Sequence, residues 1–261
     1  MANIREQQAL EAIRTEMEGL PGHLGFYYKN LVTGDEYSVQ GDEAFLAASV
    51  IKLPLFLHVL ARAAAGEIDL QQRLTVTEEE KLPSCGALSL FTGAVEVDVH
   101  TLCRLMICLS DNTATNKLIR LCTMEGASAG FRAMGLKKTI LRRLLFDSEA
   151  SARGIQNDIC PREMGMLLEQ LHREEFVNAQ VSREAISVLK RQQINHKMNG
   201  KLCGAARLAH KTGEDDQLSN DVGIVYAPQP FVVCWAGHDT DVYPWEDLIR
   251  RGTEALYRAQ V

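Results

Sequence analysis

Leu10, Ile13, Met17 and Leu20 recur at three- to four-residue spacing, which predicts an amphipathic helix over roughly residues 4–19, stopped by Pro21-Gly22. The period then changes. Segments 24–29 and 36–39 read as strands joined across Leu31-Val32-Thr33-Gly34-Asp35, a hairpin that turns at the glycine. The unbroken apolar run Leu53-Pro54-Leu55-Phe56-Leu57-His58-Val59-Leu60 predicts a buried helix starting near Ser49, with Pro54 tolerated because the first helical N–H groups have no internal partner. Residues 95–109 read as another largely buried helix, with Leu102, Leu105, Met106 and Leu109 on one side, broken at Ser110-Asp111-Asn112. Helices follow at about 113–122 and 127–134, and Pro161 opens one carrying Met164, Leu167, Leu168 and Leu171. Residues 182–192 form an amphipathic stretch. Strands return at 206–211, 221–226 and 231–237, and 244–259 closes the chain as a helix with Trp245, Leu248, Ile249 and Leu256 on its apolar side.

A helix and hairpin at one end, with three strands and a helix at the other, imply that the termini meet in one sheet. The expectation is an α+β fold, one domain over 1–261. Its α/β lobe takes about 1–42 and 200–261, a helical lobe is inserted over about 43–199, and a cleft lies between them.

Composition narrows the partners. With 261 residues, 46% hydrophobic and 24% charged, the chain is an ordinary globular one, and at net charge -6 with no Lys/Arg stripe it has no nucleic-acid footprint. The start, Met1 to Gln8, carries charges where a signal peptide needs an apolar core, and no apolar run reaches membrane-spanning length. The chain as given therefore reads as a cytoplasmic monomer acting on a small molecule, with no membrane partner. Its seven cysteines include no C-x-x-C pair, and Cys103, Cys108 and Cys234 fall in apolar runs, so buried free thiols are expected. The seven histidines show no ligand spacing either, and neither a metal nor a cofactor is expected. The run Glu78-Glu79-Glu80-Lys81 reads as a solvated face or loop.

The candidate chemistry begins at Ser49-Val50-Ile51-Lys52. A helix starting there puts Ser49 and Lys52 one turn apart on one face, a hydroxyl beside an amine, in the electropositive field of the helix N-terminus. The pattern alone is weak, since Ser187-Val188-Leu189-Lys190 repeats it inside an amphipathic stretch. Its weight comes from company: Ser110-Asp111-Asn112 at an interhelical break and Lys211-Thr212-Gly213 at a strand follow in that order.

With these three motifs the chain resembles the class A serine β-lactamases and their relatives among penicillin-binding proteins. The resemblance spans nearly the whole chain. Ala47 to Pro54, Ser110 to Asn116 and His210 to Gly213 are similar to the forms found in such serine hydrolases. The fold implied is β-lactamase-like, a five-stranded antiparallel sheet flanked by the terminal helices. The roles implied are Ser49 as nucleophile, Lys52 as its base with an amine of lowered pKa, and Ser110 as the bridge from Lys52 to the departing nitrogen. Lys211 and Thr212 would line the strand edge facing the substrate, with Asn112 on its acylamide. Gly213 would allow close backbone approach, leaving the N–H groups of Ser49 and Glu214 as oxyanion donors.

Two departures qualify the activity. An arginine pairing with a later aspartate, here expected as Arg143 with Asp158, places Leu145 where class A enzymes carry the glutamate that orients the hydrolytic water, leaving Asp147 or Glu149 as substitutes. The second is that no Lys or Arg lies between Lys211 and Arg250, while Glu214, Asp215 and Asp216 follow the third motif directly. That negative rim favours a neutral or cationic substrate. The expected activity is β-lactam hydrolysis with weak deacylation. The alternatives are an esterase or D-amino-acid-type peptidase on the same fold, or a penicillin-binding sensor without turnover.

Overall fold

The structure, a computed structural model, describes residues 4–261. In chain order its elements are α1 (Ile4–Glu18), β1 (His23–Asn30), β2 (Glu36–Val39), β3 (Phe45–Leu46), α2 (Lys52–Ala64), β4 (Arg73–Val76), β5 (Val95–Asp98), α3 (Val99–Cys108) and α4 (Asn112–Cys122). Then come α5 (Met124–Ala133), α6 (Ser148–Ala152), β6 (Asp158–Ile159), α7 (Pro161–His172), α8 (Ala179–Leu189), β7 (Arg207–Asp215), β8 (Leu218–Tyr226), β9 (Phe231–His238) and α9 (Val242–Ala259).

The two ends of the chain interleave in one sheet of order β2-β1-β9-β8-β7, antiparallel throughout, with β1 running against β9 from His23↔His238 to Asn30↔Phe231. Both faces of the sheet are covered, which explains why its strands read as continuous apolar runs. Along β9, Phe231, Val233 and Trp235 enter the core beneath α1 and α9, while Val232, Cys234 and Ala236 turn to the helical lobe. Ala9, Leu10, Ile13 and Met17 of α1 meet Trp245, Leu248, Ile249 and Leu256 of α9 in the first of these cores. Both buried indoles keep a hydrogen bond, Trp235 to the Thr253 hydroxyl and Trp245 to the Ser219 carbonyl. On the opposite face α7 lies so close that a Cβ on Gly165 would sit 2.2 Å from the Tyr27 ring.

The helical lobe is built round α2, whose residues from Lys52 to Leu60 are all buried. A helix apolar on every side has no other stable place. The expected helix over 95–109 is a correction: Val95–Asp98 is a strand, paired with β4 from Arg73↔Asp98 to Val76↔Val95. Its period-two pattern is too short to stand out from the helix behind it, where the Asp98 side chain accepts the Thr101 N–H as an N-cap. The acidic run at 78–80 is a 3-10 turn with a Thr77–Glu80 capping box, and Glu80 holds the Lys117 ammonium at 2.8 Å. Among the described residues no helix is long and apolar enough to cross a membrane.

Candidate active site

Three segments far apart in sequence converge between the lobes. Ser49 lies in a 3-10 turn, Ala48–Ile51, that leads directly into α2, so its hydroxyl faces Lys52, the first residue of the helix. The Lys52 Nζ is 2.9 Å from Ser49 Oγ. It also lies 2.7 Å from the Ser110 carbonyl, 2.8 Å from Asn112 Oδ1 and 3.0 Å from Ser110 Oγ. Carbonyl and amide oxygens can only accept, so they claim two N–H bonds of a neutral amine and leave its lone pair toward the two hydroxyls. The geometry therefore suits a Lys52 that takes a proton from Ser49.

Burial of the whole Lys52 side chain, reinforced by the charge of Lys211, holds its amine well below the usual lysine range. Lys211, on the edge strand β7, is also fully buried, and burial followed by the charge of Lys197 pushes it down to about 7. Its Nζ is 3.1 Å from Ser110 Oγ and 2.7 Å from the Thr212 carbonyl. Ser110 thus sits between two lysines, where a hydroxyl can pass a proton from one side to the other.

The backbone that presents these groups is strained. Ala48 and Ser110 have φ of 40° and 55°, the left-handed region that non-glycine residues seldom occupy and that a rigid surround must impose. Asp111 supplies much of that surround. One carboxylate oxygen caps α4 at the Ala114 N–H, and the other accepts the N–H groups of Ala87 and Leu88, pinning the loop before β5. Gly213 is required by contact: a Cβ there would lie 3.0 Å from the Ala47 carbonyl and 3.1 Å from the Ser49 nitrogen. The Lys211-Thr212-Gly213 edge therefore runs hard against the nucleophile turn. The second Ser-x-x-Lys, at Ser187, lies in α8, with no part in the cleft wall.

Leu145 lines the same cleft as Ser49. Asn116, one turn along α4 from Asn112, fixes its backbone from both sides, accepting the Leu145 N–H at 2.9 Å and donating to its carbonyl at 2.9 Å. The side chain presented there is a hydrocarbon. Asp147 is occupied as the N-cap of α6, accepting from Ala150 at 2.9 Å; Glu149 is exposed, and neither lines the cleft. The expected Arg143–Asp158 pair does not form. Arg142 pairs with Asp158 instead, while Arg143 donates to Gln156 Oε1 at 2.8 and 3.1 Å; the two backbone N–H groups share the Asn157 side-chain oxygen, in a bend that sets each guanidinium on its own partner.

A family model described as the beta-lactamase enzyme family matches residues 8–260. The chain belongs to that family. A beta-lactamase from Sphaerobacter thermophilus DSM 20745 superposes with a TM-score of 0.88 at 24% identity over 97% of each chain, a likeness of fold. PBP-A superposes with a TM-score of 0.87 at 27% identity, covering 97% of this chain and 95% of that one. A leucine-to-glutamate variant of PBP-A has been solved as an acyl-enzyme complex with penicillin G. The beta-lactamase regulatory protein BlaB of Streptomyces cacaoi is 31% identical over 125 residues, 48% of this chain and 39% of that protein. The matched part is thus under half of that relative's length.

Within this beta-lactamase-family fold the cleft measures about 250 Å³, with Cys85, Arg143, Phe146, Asp215 and Asp216 in its wall besides the motif residues. A larger cavity, about 1090 Å³, lies between α2 and α5 with no motif residue in its wall, so chemistry and not size marks the site. The acidic rim is only partly offset. Glu214 meets the Lys197 ammonium at 3.1 Å and His196 at 3.5 Å, whereas Asp215 and Asp216 are exposed and, among the described residues, in no ion pair. Sequence reasoning missed Lys197, Asn116 and the structural role of Asp111. Only Asp111 had a local signal, its place just before a helix.

Proposed function

We propose that this protein is a serine hydrolase of acyl-enzyme type that captures β-lactam-like acyl groups on Ser49 and releases them slowly. Lys52 accepts the Ser49 proton as Oγ attacks the carbonyl carbon. The C–N bond then breaks, and the proton returns through Ser110 to the departing nitrogen. The N–H groups of Ser49 and Glu214 are the oxyanion donors. Asn112 holds the acylamide, and Lys211 with Thr212 lines the strand side of the substrate. The observation that carries the reading is the 2.9 Å Lys52–Ser49 contact in a buried, doubly lysine-flanked site faced by Leu145.

Release of the acyl group needs a water deprotonated on the face opposite Ser110. Leucine offers no base, and neither nearby carboxylate reaches the cleft. The acyl-enzyme complex of a PBP-A variant with penicillin G supports acylation by a β-lactam on this fold. A chromogenic cephalosporin is expected to give a burst of about one equivalent per Ser49 and then a slow phase. Rapid linear turnover would contradict the proposal.

The esterase or peptidase reading is favoured by one feature, the unpaired Asp215 and Asp216 on the rim. Their potential opposes a carboxylate close to the scissile bond and attracts an ammonium there. Matched thioester acyl donors differing only in that group are expected to acylate in the order cationic, neutral, anionic, with a spread of about tenfold that shrinks at high salt. A preference for the anionic donor would reverse the assignment.

A further inference from the structure

We propose that Lys197 is a positioning residue for the acylation site, locking the edge strand that carries Lys211, Thr212 and Gly213 and placing a fixed positive charge behind Lys211. The inference rests on the Ser49 reading for its consequence in acylation, and its effect on Lys211 stands apart from that reading.

Lys197 is a fully buried cation, immediately ahead of the 3-10 turn Met198–Gly200. Its Nζ reaches the carbonyls of Gly213 and Asn220, each at 3.0 Å, and Ser219 Oγ and Glu214 Oε1, each at 3.1 Å. An ammonium has three N–H donors, so four protein acceptors leave none for a substrate. The residue therefore cannot serve as a receptor for a substrate carboxylate without first giving up the strand. What it grips is informative. Gly213 and Asn220 are register partners on β7 and β8, so one side chain holds both strands at the position nearest Ser49.

The neighbouring residues fasten the same segment. The Ser219 hydroxyl, while accepting from Lys197, donates to Glu246 Oε1 at 2.9 Å. The Met198 N–H donates to Asp221 Oδ2 at 3.1 Å, and Asp221 Oδ1 lies 2.9 Å from His210 Nδ1. His196 spans Glu214 and Glu246 at 3.5 and 3.6 Å. A buried charge held by this many fixed acceptors is costly to move, which makes the strand edge rigid where a shift of a few tenths of an ångström would press Gly213 on the nucleophile turn.

Electrostatics adds a separable consequence. Lys211 is faced by Lys52 from α2, Asp221 from β8, Glu214 from its own strand, Cys85 from the loop before β5, Cys108 from α3, and Lys197 from behind. After burial, Lys197 is the largest influence lowering its amine, and Asp221, Cys85 and Glu214 oppose it. Removing the Lys197 charge favours the ammonium form of Lys211, so its titration midpoint must rise. A residue that only filled space would leave that midpoint unmoved.

The test follows the Lys211 13Cε resonance against pH in 13C-lysine-labelled protein, assigned with Lys211→Arg, in wild type, Lys197→Met and Lys197→Arg. The wild-type midpoint is expected near 7, raised by about one unit or more in Lys197→Met and unchanged in Lys197→Arg. The pH inflection of penicillin G acylation should move with it, and the Met variant should acylate about tenfold more slowly at pH 7. An unmoved Lys211 midpoint in Lys197→Met overturns the proposal. So does undiminished acylation in that variant. If wild type forms no adduct at all, the Ser49 reading fails and the midpoint still decides the role of Lys197. Should Lys197→Met not fold, Lys197→Gln keeps a hydrogen-bonding head group without the charge and is expected to raise the Lys211 midpoint likewise; no movement there overturns the proposal equally.

Discussion

Ser49→Ala is expected to give no covalent adduct with penicillin G at any time, while its thermal transition stays within a degree or two of wild type. Ser49 is only half-buried and, among the described residues, its hydroxyl has one hydrogen-bond partner, Lys52, so deleting one oxygen removes little packing. It removes the hydroxyl that stands in the cleft wall within reach of Lys52. Ser110 cannot replace it, because its hydroxyl is enclosed between Lys52 and Lys211 at 3.0 and 3.1 Å and its residue is buried. Losing the attacking atom is the most complete loss that acyl-transfer chemistry allows, on the order of 10⁶-fold where such groups act as a unit. An adduct of undiminished yield in Ser49→Ala would remove Ser49 from the reaction.

The second large effect runs the other way. Leu145→Glu is expected to speed release of the acyl group by about 10²–10⁴-fold, the range of a positioned general base, while acylation changes little. Asn116 holds the backbone of residue 145 through both its N–H and its carbonyl, so the new side chain starts from a fixed point on the wall of the cleft that Ser49 also lines. Single-turnover decay of the adduct separates the two steps. Unchanged decay in Leu145→Glu would show that the missing carboxylate is not what limits release.

Much of this was legible before any coordinates. The sheet and its flanking helices followed from period and order, because both chain ends carried strands and the middle carried helices. The cleft residues followed from three short motifs whose order matters more than any one of them, as the decoy at Ser187 illustrates. The strand at Val95–Asp98 was hidden because four residues of alternation precede a helix with no break in apolarity. Arg143 was assigned the wrong partner since the pairing is settled by a bend held on the Asn157 side chain, a contact 14 and 15 residues away that leaves no local pattern. Lys197 left no trace at all in local pattern. It is a lone lysine between helix and strand whose meaning lies in oxygens 16 to 23 residues away. The fixing of Leu145 by Asn116 is of the same kind, a contact across 29 residues.

The lysine pair also explains why hydrolysis and capture can part company in one fold. In the proposed reaction Lys52, Ser110 and Lys211 serve the bond to the nitrogen; all three are buried, and Ser110 is bonded to both lysines. Release, on the same proposal, depends on the wall that carries Leu145, where Asp147 is committed to the cap of α6 and Glu149 is exposed outside the cleft. The proposed acylation and release thus draw on separate surfaces of a single small cleft.

The most direct measurement is intact mass of the wild-type protein mixed with one equivalent of penicillin G and followed over time. The expected result is a mass increase equal to the whole penicillin, appearing fast, mapping to the peptide that contains Ser49, and persisting for many minutes to hours. A protein that returns to its original mass within seconds, with penicilloate in solution, would contradict slow release; one that never gains mass with β-lactam or ester donors would contradict the acyl-enzyme itself.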